Sequence, residues 1–175
     1  FDEAHLIEDI AADYFGFQVS NFQLDEIARD AATLPITDAN ATREIDKIAA
    51  KIMGLADQFW IRFAQARYDG RFPLYVEAFA QRTVGGETQP TALGEACYAL
   101  QRLEAAVAAF AENVPEADSL LRRTRQARFD LDFVVTQAEK NYVYWLEKRG
   151  KGMFLRASPV DVSELKRKKL FEKVE

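Results

Sequence analysis

Apolar residues recur at helical spacing along most of the chain. Leu6, Ile7, Ile10, Ala11 and Tyr14 predict a first helix over about residues 4–15, which Gly16 is placed to end. Ser20 followed by Gln23 resembles a capping box, and Phe22, Leu24, Ile27, Ala28 and Ala31 continue a second helix that Pro35 must stop. Turn and cap residues fill positions 37–42. Ile45, Ile48, Ile52, Leu55, Phe59 and Phe63 then repeat every three or four residues, which predicts a long amphipathic helix ending near Tyr68-Asp69-Gly70. Leu93, Cys97, Leu100, Leu103, Val107 and Phe110 form the next stripe. Asn113-Val114-Pro115 breaks it, and Pro115 falls in the first turn of a further helix that turns Leu121, Leu131 and Val134 inward.

Two stretches depart from this period. Residues 71–91 hold two prolines and Gly85-Gly86, so the reading there is an irregular connector with a short extended piece at 74–76. After residue 141 the period changes to two. Residues 142–147, a glycine-containing turn over 148–152 and residues 153–156 predict two strands of a hairpin, with Pro159 closing the second. Ser163 then caps a final basic helix over 164–174. No internal repeat or low-complexity segment appears. The expected fold is mainly α: a helical bundle with one antiparallel β-hairpin near the C-terminal end.

At 175 residues and 49% hydrophobic, the chain is long enough for one domain with a substantial core. It has no apolar run near the length of a membrane span and no signal-peptide pattern, so a soluble cytoplasmic protein with no membrane contact is expected. The net charge of −5 argues against strong nonspecific binding to nucleic acid. Its distribution is uneven. Residues 140–175 carry ten Lys or Arg against five Asp or Glu, leaving +5 there and −10 over the rest, so phosphate contacts are expected nearer the C-terminal end. Cys97, the single cysteine, sits in an apolar helical pattern and reads as a small core residue; alone it cannot hold an iron–sulfur cluster or form an internal disulfide. His5 is the single histidine, and without companion ligands it does not support a zinc site.

The chemistry-bearing stretch is Phe1-Asp2-Glu3-Ala4-His5, which reads as a DEAH box. An acidic pair of this kind suits a nucleotide site, one carboxylate ordering the water shell of Mg²⁺ and the next activating the attacking water. The competing reading is an acidic helix start that favours the positive end of the helix dipole. A phosphate-cradling loop of the G-x-x-x-x-G-K-[ST] kind is absent, because neither Gly85-Gly86 nor Gly150-Lys151-Gly152 has the spacing. These 175 residues are therefore not expected to hydrolyse ATP unaided. A Ser-Ala-Thr motif, expected a few dozen residues after the box in compact superfamily-2 motors, is also missing.

The run Phe1-Asp-Glu-Ala-His-Leu-Ile-Glu-Asp9, together with Val143-Tyr-Trp-Leu-Glu147, Phe154-Leu-Arg-Ala-Ser-Pro-Val-Asp-Val-Ser163 and Leu170-Phe171, resembles the DinG and XPD family of superfamily-2 DNA helicases, the bacterial DinG side more closely. In that family a helical Arch domain is inserted between the DEAH box and the Ser-Ala-Thr motif. The middle, about residues 17–140, fits by length and helical character. The resemblance implies that residues 1–15 are a remnant of the first motor domain. It makes 16–140 the Arch-like insertion and 141–175 a hairpin and basic helix leading back to the motor. It implies an ATP-dependent 5′–3′ DNA helicase acting in DNA repair or replication, with ATP and Mg²⁺ as cofactors of the full-length parent. Asp2 would hold Mg²⁺ through water, Glu3 would be the general base, and His5 would couple the nucleotide site to the strand-contacting motifs. Any iron–sulfur cluster belongs to the parent, since the family's cluster cysteines precede the box.

Single-stranded DNA is the implied partner, guided along one wall of a pore. Candidate contacts are Arg122, Arg123, Arg125 and Arg128 on the last long helix, and Lys148, Arg149 and Lys151 at the hairpin turn. A solvated charged face is the plainer reading of the helix arginines. Phe59 and Phe63 lie on the apolar stripe and read as core, whereas Trp60, one step off it, is left open to base stacking. Tyr144 and Trp145 alternate along their strand, so one of them is expected to be exposed. The alternative function is a helical protein-interaction module whose DEAH match is accidental.

Overall fold

The structure, a computed structural model, describes residues 16–61, 68–74, 82–84, 87–89 and 91–160. The DEAH box, the first expected helix, Phe63 and the basic helix over 164–174 lie outside them. Within them the chain forms β1 (Phe17–Ser20), α1 (Asn21–Ala32), α2 (Ala39–Ile61), β2 (Gly70–Pro73), β3 (Arg82–Val84), β4 (Glu87–Gln89), α3 (Ala92–Ala108), α4 (Pro115–Thr136), β5 (Tyr142–Arg149) and β6 (Gly152–Pro159). The fold is mainly α with a small antiparallel sheet.

The helix ends follow from local chemistry. Ser20 is extended (φ −125°, ψ 160°) and its Oγ accepts from the Gln23 amide at 3.1 Å, so the expected cap starts α1. Asp38 Oδ1 accepts from the amides of Asn40 (2.8 Å) and Ala41 (3.2 Å) and serves α2 in the same way. Thr91 Oγ1 takes the Gly94 amide at the start of α3. α4 begins on Pro115, which has no N–H to leave unpaired, with Glu116 and Asp118 in its first turn beside the positive end of the dipole. It ends at Gln137, whose φ of 49° is left-handed; the Gln137 amide donates to Phe133 O and the side-chain Nε2 donates to Leu74 O at 2.9 Å. That last bond ties the end of α4 to the chain leaving β2.

Each helix packs on its sequence neighbour, α1 on α2, α2 on α3 and α3 on α4, and α4 returns to touch α1 and β1. Their shared core holds Leu24, Ile27, Ile45, Ile48, Ile52, Leu100, Leu103, Leu120, Leu131 and Val134, all at most 4% exposed. Trp60 is also in this core at 4% exposure, which corrects the reading that left it open to base stacking. The apolar face of α2 is wide enough to include a position adjacent to the stripe.

The expected hairpin is present as β5 and β6, and it is the centre of a larger sheet. Strand order is β1-β6-β5-β2, every neighbour antiparallel. The strands run further than the expected 142–147 and 153–156, leaving only Gly150 and Lys151 in the turn. Gly150 has φ +57°, the conformation that the first position of a type II′ turn gives to glycine. A strand is found at 70–73 with Leu74 buried in the coil after it, and the rest of the extended piece expected at 74–76 lies outside the described residues. Within the same connector β3 and β4 pair as a separate small hairpin.

Register defines the two faces of the main sheet. Phe72, Leu146, Leu155 and Val19 stand in one row across all four strands, with the last three at most 4% exposed. This face packs on the helices. Phe17, on the same face, lies with its ring centroid 4.1 Å from that of Phe133 of α4, and Tyr142 and Tyr144 join the cluster. The adjacent rows, Arg71–Glu147–Phe154–Ser20 and Pro73–Trp145–Arg156–Gln18, therefore belong to the other face.

Candidate nucleic-acid interface

The turn that carries Lys148, Arg149 and Lys151 is anchored from both sides. Asn21, the first residue of α1, donates from Nδ2 to Lys151 O at 3.1 Å, and its Oδ1 accepts from the Met153 amide at 3.0 Å. From the other side Asp69 Oδ1 accepts from the Gly150 amide at 2.9 Å. Gly152 has no room for a side chain, since a Cβ there would fall 2.7 Å from Phe154 Cε2 and 3.0 Å from Phe22 Cε2. Arg149 and Lys151 are exposed at this anchored turn, and Lys148 is half-buried.

Behind the turn, Glu147 gathers three arginines. Its side chain is 7% exposed, and Oε1 accepts from Arg149 Nη2 at 2.6 Å and Nε at 2.9 Å. Arg156 Nε lies 3.0 Å from Oε2, and Arg71 Nε lies 3.8 Å from Oε1. Burial by itself raises the carboxyl pKa, but the Arg149 hydrogen bond and the positive charges of Arg156, Arg149 and Arg71 outweigh it and hold the group below its ordinary value. Glu147 is thus a fixed anion. The Arg71 guanidinium also stands 5.5 Å from the centroid of the Trp145 ring.

Arg71 and Arg156 were not among the residues singled out from the sequence. Arg71 is 76 positions from Glu147, and only the β2–β5 register brings the two opposite each other. Alternation along β6 after the hairpin turn was the signal available for Arg156, which stands opposite Trp145. Tyr144 and Trp145 do fall on opposite faces, but both are half-buried, so neither is the exposed aromatic expected from alternation. Tyr144 packs against Phe133 and Trp145 lies under Arg71.

The arginines of α4 are each engaged by a carboxylate. Arg122 pairs with Asp118 one turn earlier (2.6 Å), Arg123 with Asp30 of α1 (2.6 Å), and Arg128 and Arg125 both with Glu104 of α3 (2.6 and 3.7 Å). Four guanidiniums against three carboxylates leave these arginines nearly balanced, and three of the pairs stitch α4 to its neighbours. A shallow cavity of about 290 Å³ lies beside one of them, lined by Asp30, Thr33, Leu34, Glu116, Ser119 and Arg123.

Two further groups bear on chemistry. Cys97 is half-buried, and burial, with the Asp132 charge adding to it, pushes its thiol up to about 11, so it is unreactive near neutral pH. Among the described residues no group of three or more His, Cys, Asp or Glu is placed to hold a metal ion, and no helix is long and apolar enough to cross a membrane. Asp2, Glu3 and His5 lie outside the described residues.

No family model matches the chain. It is similar to the ATP-dependent DNA helicase YoaA of Escherichia coli (strain K12), with 26% identity over 167 residues. That similarity covers 94% of this chain and 24% of the relative's length, so the chain corresponds to a minor part of a protein that is itself an ATP-dependent DNA helicase.

Proposed function

We propose that the chain is the Arch-like insertion of a DinG-type, ATP-dependent 5′–3′ DNA helicase, running from the DEAH box to just before the Ser-Ala-Thr motif, and that it guides single-stranded DNA. The observation that carries this reading is the similarity to a DNA helicase over nearly the whole chain and only a quarter of the helicase. The mainly helical fold with a small sheet suits an insertion of this kind. In the full-length parent Asp2 orders the water around Mg²⁺, Glu3 accepts the proton of the water that attacks ATP, and His5 links that event to the strand-contacting motifs. The segment itself supplies shape and charge, and the remainder of the nucleotide site comes from the parent.

The test is the Glu3→Gln variant of the full-length protein. ATP binding should persist while turnover falls by about 10²–10⁴, the usual contribution of a general base. Near-wild-type ATPase would remove Glu3 from this role. Sequencing the gene on both sides offers a second check: a phosphate loop upstream and a Ser-Ala-Thr motif soon after Glu175 are the expected neighbours, and their absence would favour the interaction-module reading.

A further inference from the structure

We infer that the outer seam between α2 and α3, centred on Lys47, Lys51 and Tyr98, binds a single DNA strand, the two ammonium groups taking its phosphates and the Tyr98 ring stacking on a base. The inference rests on the single-strand-guiding function proposed above and names a surface that performs it.

Helix directions bring the three residues together. α4 runs antiparallel to α1, since Phe133 near its end meets Phe17 just before α1, while Arg123 earlier in α4 meets Asp30 near the end of α1. α3 runs antiparallel to α4, with Glu104 against Arg125 and Arg128 and the earlier Cys97 within reach of the Asp132 charge. The short connection from Ala32 to Ala39 reverses α2 against α1, so α2 and α3 are antiparallel as well. Glu44 of α2 pairs with Arg102 of α3 and pins the seam. Lys47 and Lys51 lie about 4.5 and about 10.5 Å beyond Glu44 along the axis, within about 60° of it around the helix. Tyr98 lies about 6 Å before Arg102 on α3 and about 40° from it, which sets the ring between the levels of the two lysines.

All three are open to solvent. Among the described residues Lys47 and Lys51 are exposed and neither is in an ion pair, whereas every arginine over 122–128 has a carboxylate. Tyr98 is 59% exposed. Arg43, exposed one turn before Lys47, extends the row of cations. The acids on this seam are Glu44, already taken by Arg102, and Glu95, half-buried one turn before Tyr98. Asp46 and Asp57 of α2 lie about 80° or more from either lysine around the axis. Four cations thus meet two carboxylates. An exposed ring between ammonium groups suits an unpaired strand better than a duplex, because only unpaired bases offer a face for stacking while their phosphates are held alongside. Lysines act as point charges that fix no geometry, so binding here is weak and independent of sequence, as a strand that has to move requires.

The test is titration of the full chain with a labelled oligothymidylate across a range of salt, with circular dichroism to verify each variant's fold. Lys47→Ala/Lys51→Ala should weaken binding on the order of tenfold at low salt and reduce the slope of log K against log salt by about 1.4, the value for two lost single-strand phosphate contacts. Tyr98→Leu should weaken binding about fivefold or more with the slope unchanged, and Tyr98→Phe should restore it, because stacking needs the ring and not the hydroxyl. Arg122→Ala/Arg125→Ala should leave both affinity and slope unchanged. Unaltered binding by the lysine variant overturns the seam, and a loss in the α4 variant then places the strand there with the strand-guiding function intact. Unaltered binding by Tyr98→Leu, or equal affinity for a duplex of the same length, overturns the stacking. Absence of binding by the unaltered chain at low salt overturns the surface outright, and the Glu3→Gln ATPase measurement judges the helicase reading independently.

Discussion

Asp130 is a buried carboxyl in the middle of α4, 6% exposed, with Gln126 Nε2 donating to it at 2.7 Å. Burial pushes its pKa from 3.8 up to about 6, and the Gln126 bond offsets only part of that. The sign follows from linkage. Below about pH 4 the group is protonated in both folded and unfolded chains and costs nothing. Above about pH 6 the folded state must hold a charge that burial disfavours, at a cost of up to about 3 kcal/mol. Stability contributed through this residue therefore falls as pH rises from about 4 to about 6 and stays low beyond. Asp130→Asn should raise stability at about pH 8 and change little at about pH 4, as urea unfolding at the two values would show. A second residue-scale effect is the Ser20 cap. Ser20→Ala should lower stability by about 1 kcal/mol, since the Gln23 amide loses its partner at a site that is itself only 7% exposed.

Among the elements, helices were legible and short strands were not, for a physical reason. A helix such as α2 repeats its buried stripe through Ile45, Ile48, Ile52 and Leu55, so several independent positions report one face. Replacing Ile52, 3% exposed, with Ala should cost about 2–5 kcal/mol in denaturant unfolding, and a negligible change would mean that this face of α2 does not carry the core. β1 offers only Phe17 and Val19 as inward positions, too few to establish a period of two. β2 is harder still. It carries Arg71 and ends on Pro73, a residue that sheets tolerate at an edge, and β2 is an edge strand. The β5–β6 pair was visible because eight-residue strands flank a glycine turn, and with it came Lys148, Arg149 and Lys151. Arg71 became legible only with the register.

For the molecule as a whole, strand register joins cations that lie far apart along the chain. The basic stretch over 140–175 supplies Arg149 and Arg156, and the β2–β5 register adds Arg71 from the otherwise acidic remainder, so that the three gather around Glu147. The run of arginines in α4, prominent in the sequence, is largely spent on neighbours one turn or one helix away. Linear clustering of like charge on a helix invites carboxylates from adjacent helices, whereas a sheet juxtaposes residues that no local window contains.

The pairing of Phe17 with Ala157 has a mechanical consequence. The strand by which the chain enters the helices and the strand by which it leaves them are hydrogen-bonded neighbours, so load applied between residues 17 and 159 pulls across the ladder and along its bonds. Antiparallel bonds lie perpendicular to the strands, and in that geometry they give way one rung after another. Single-molecule extension from those two points should therefore open the β1–β6 seam at lower force than extension from Phe17 and Arg149.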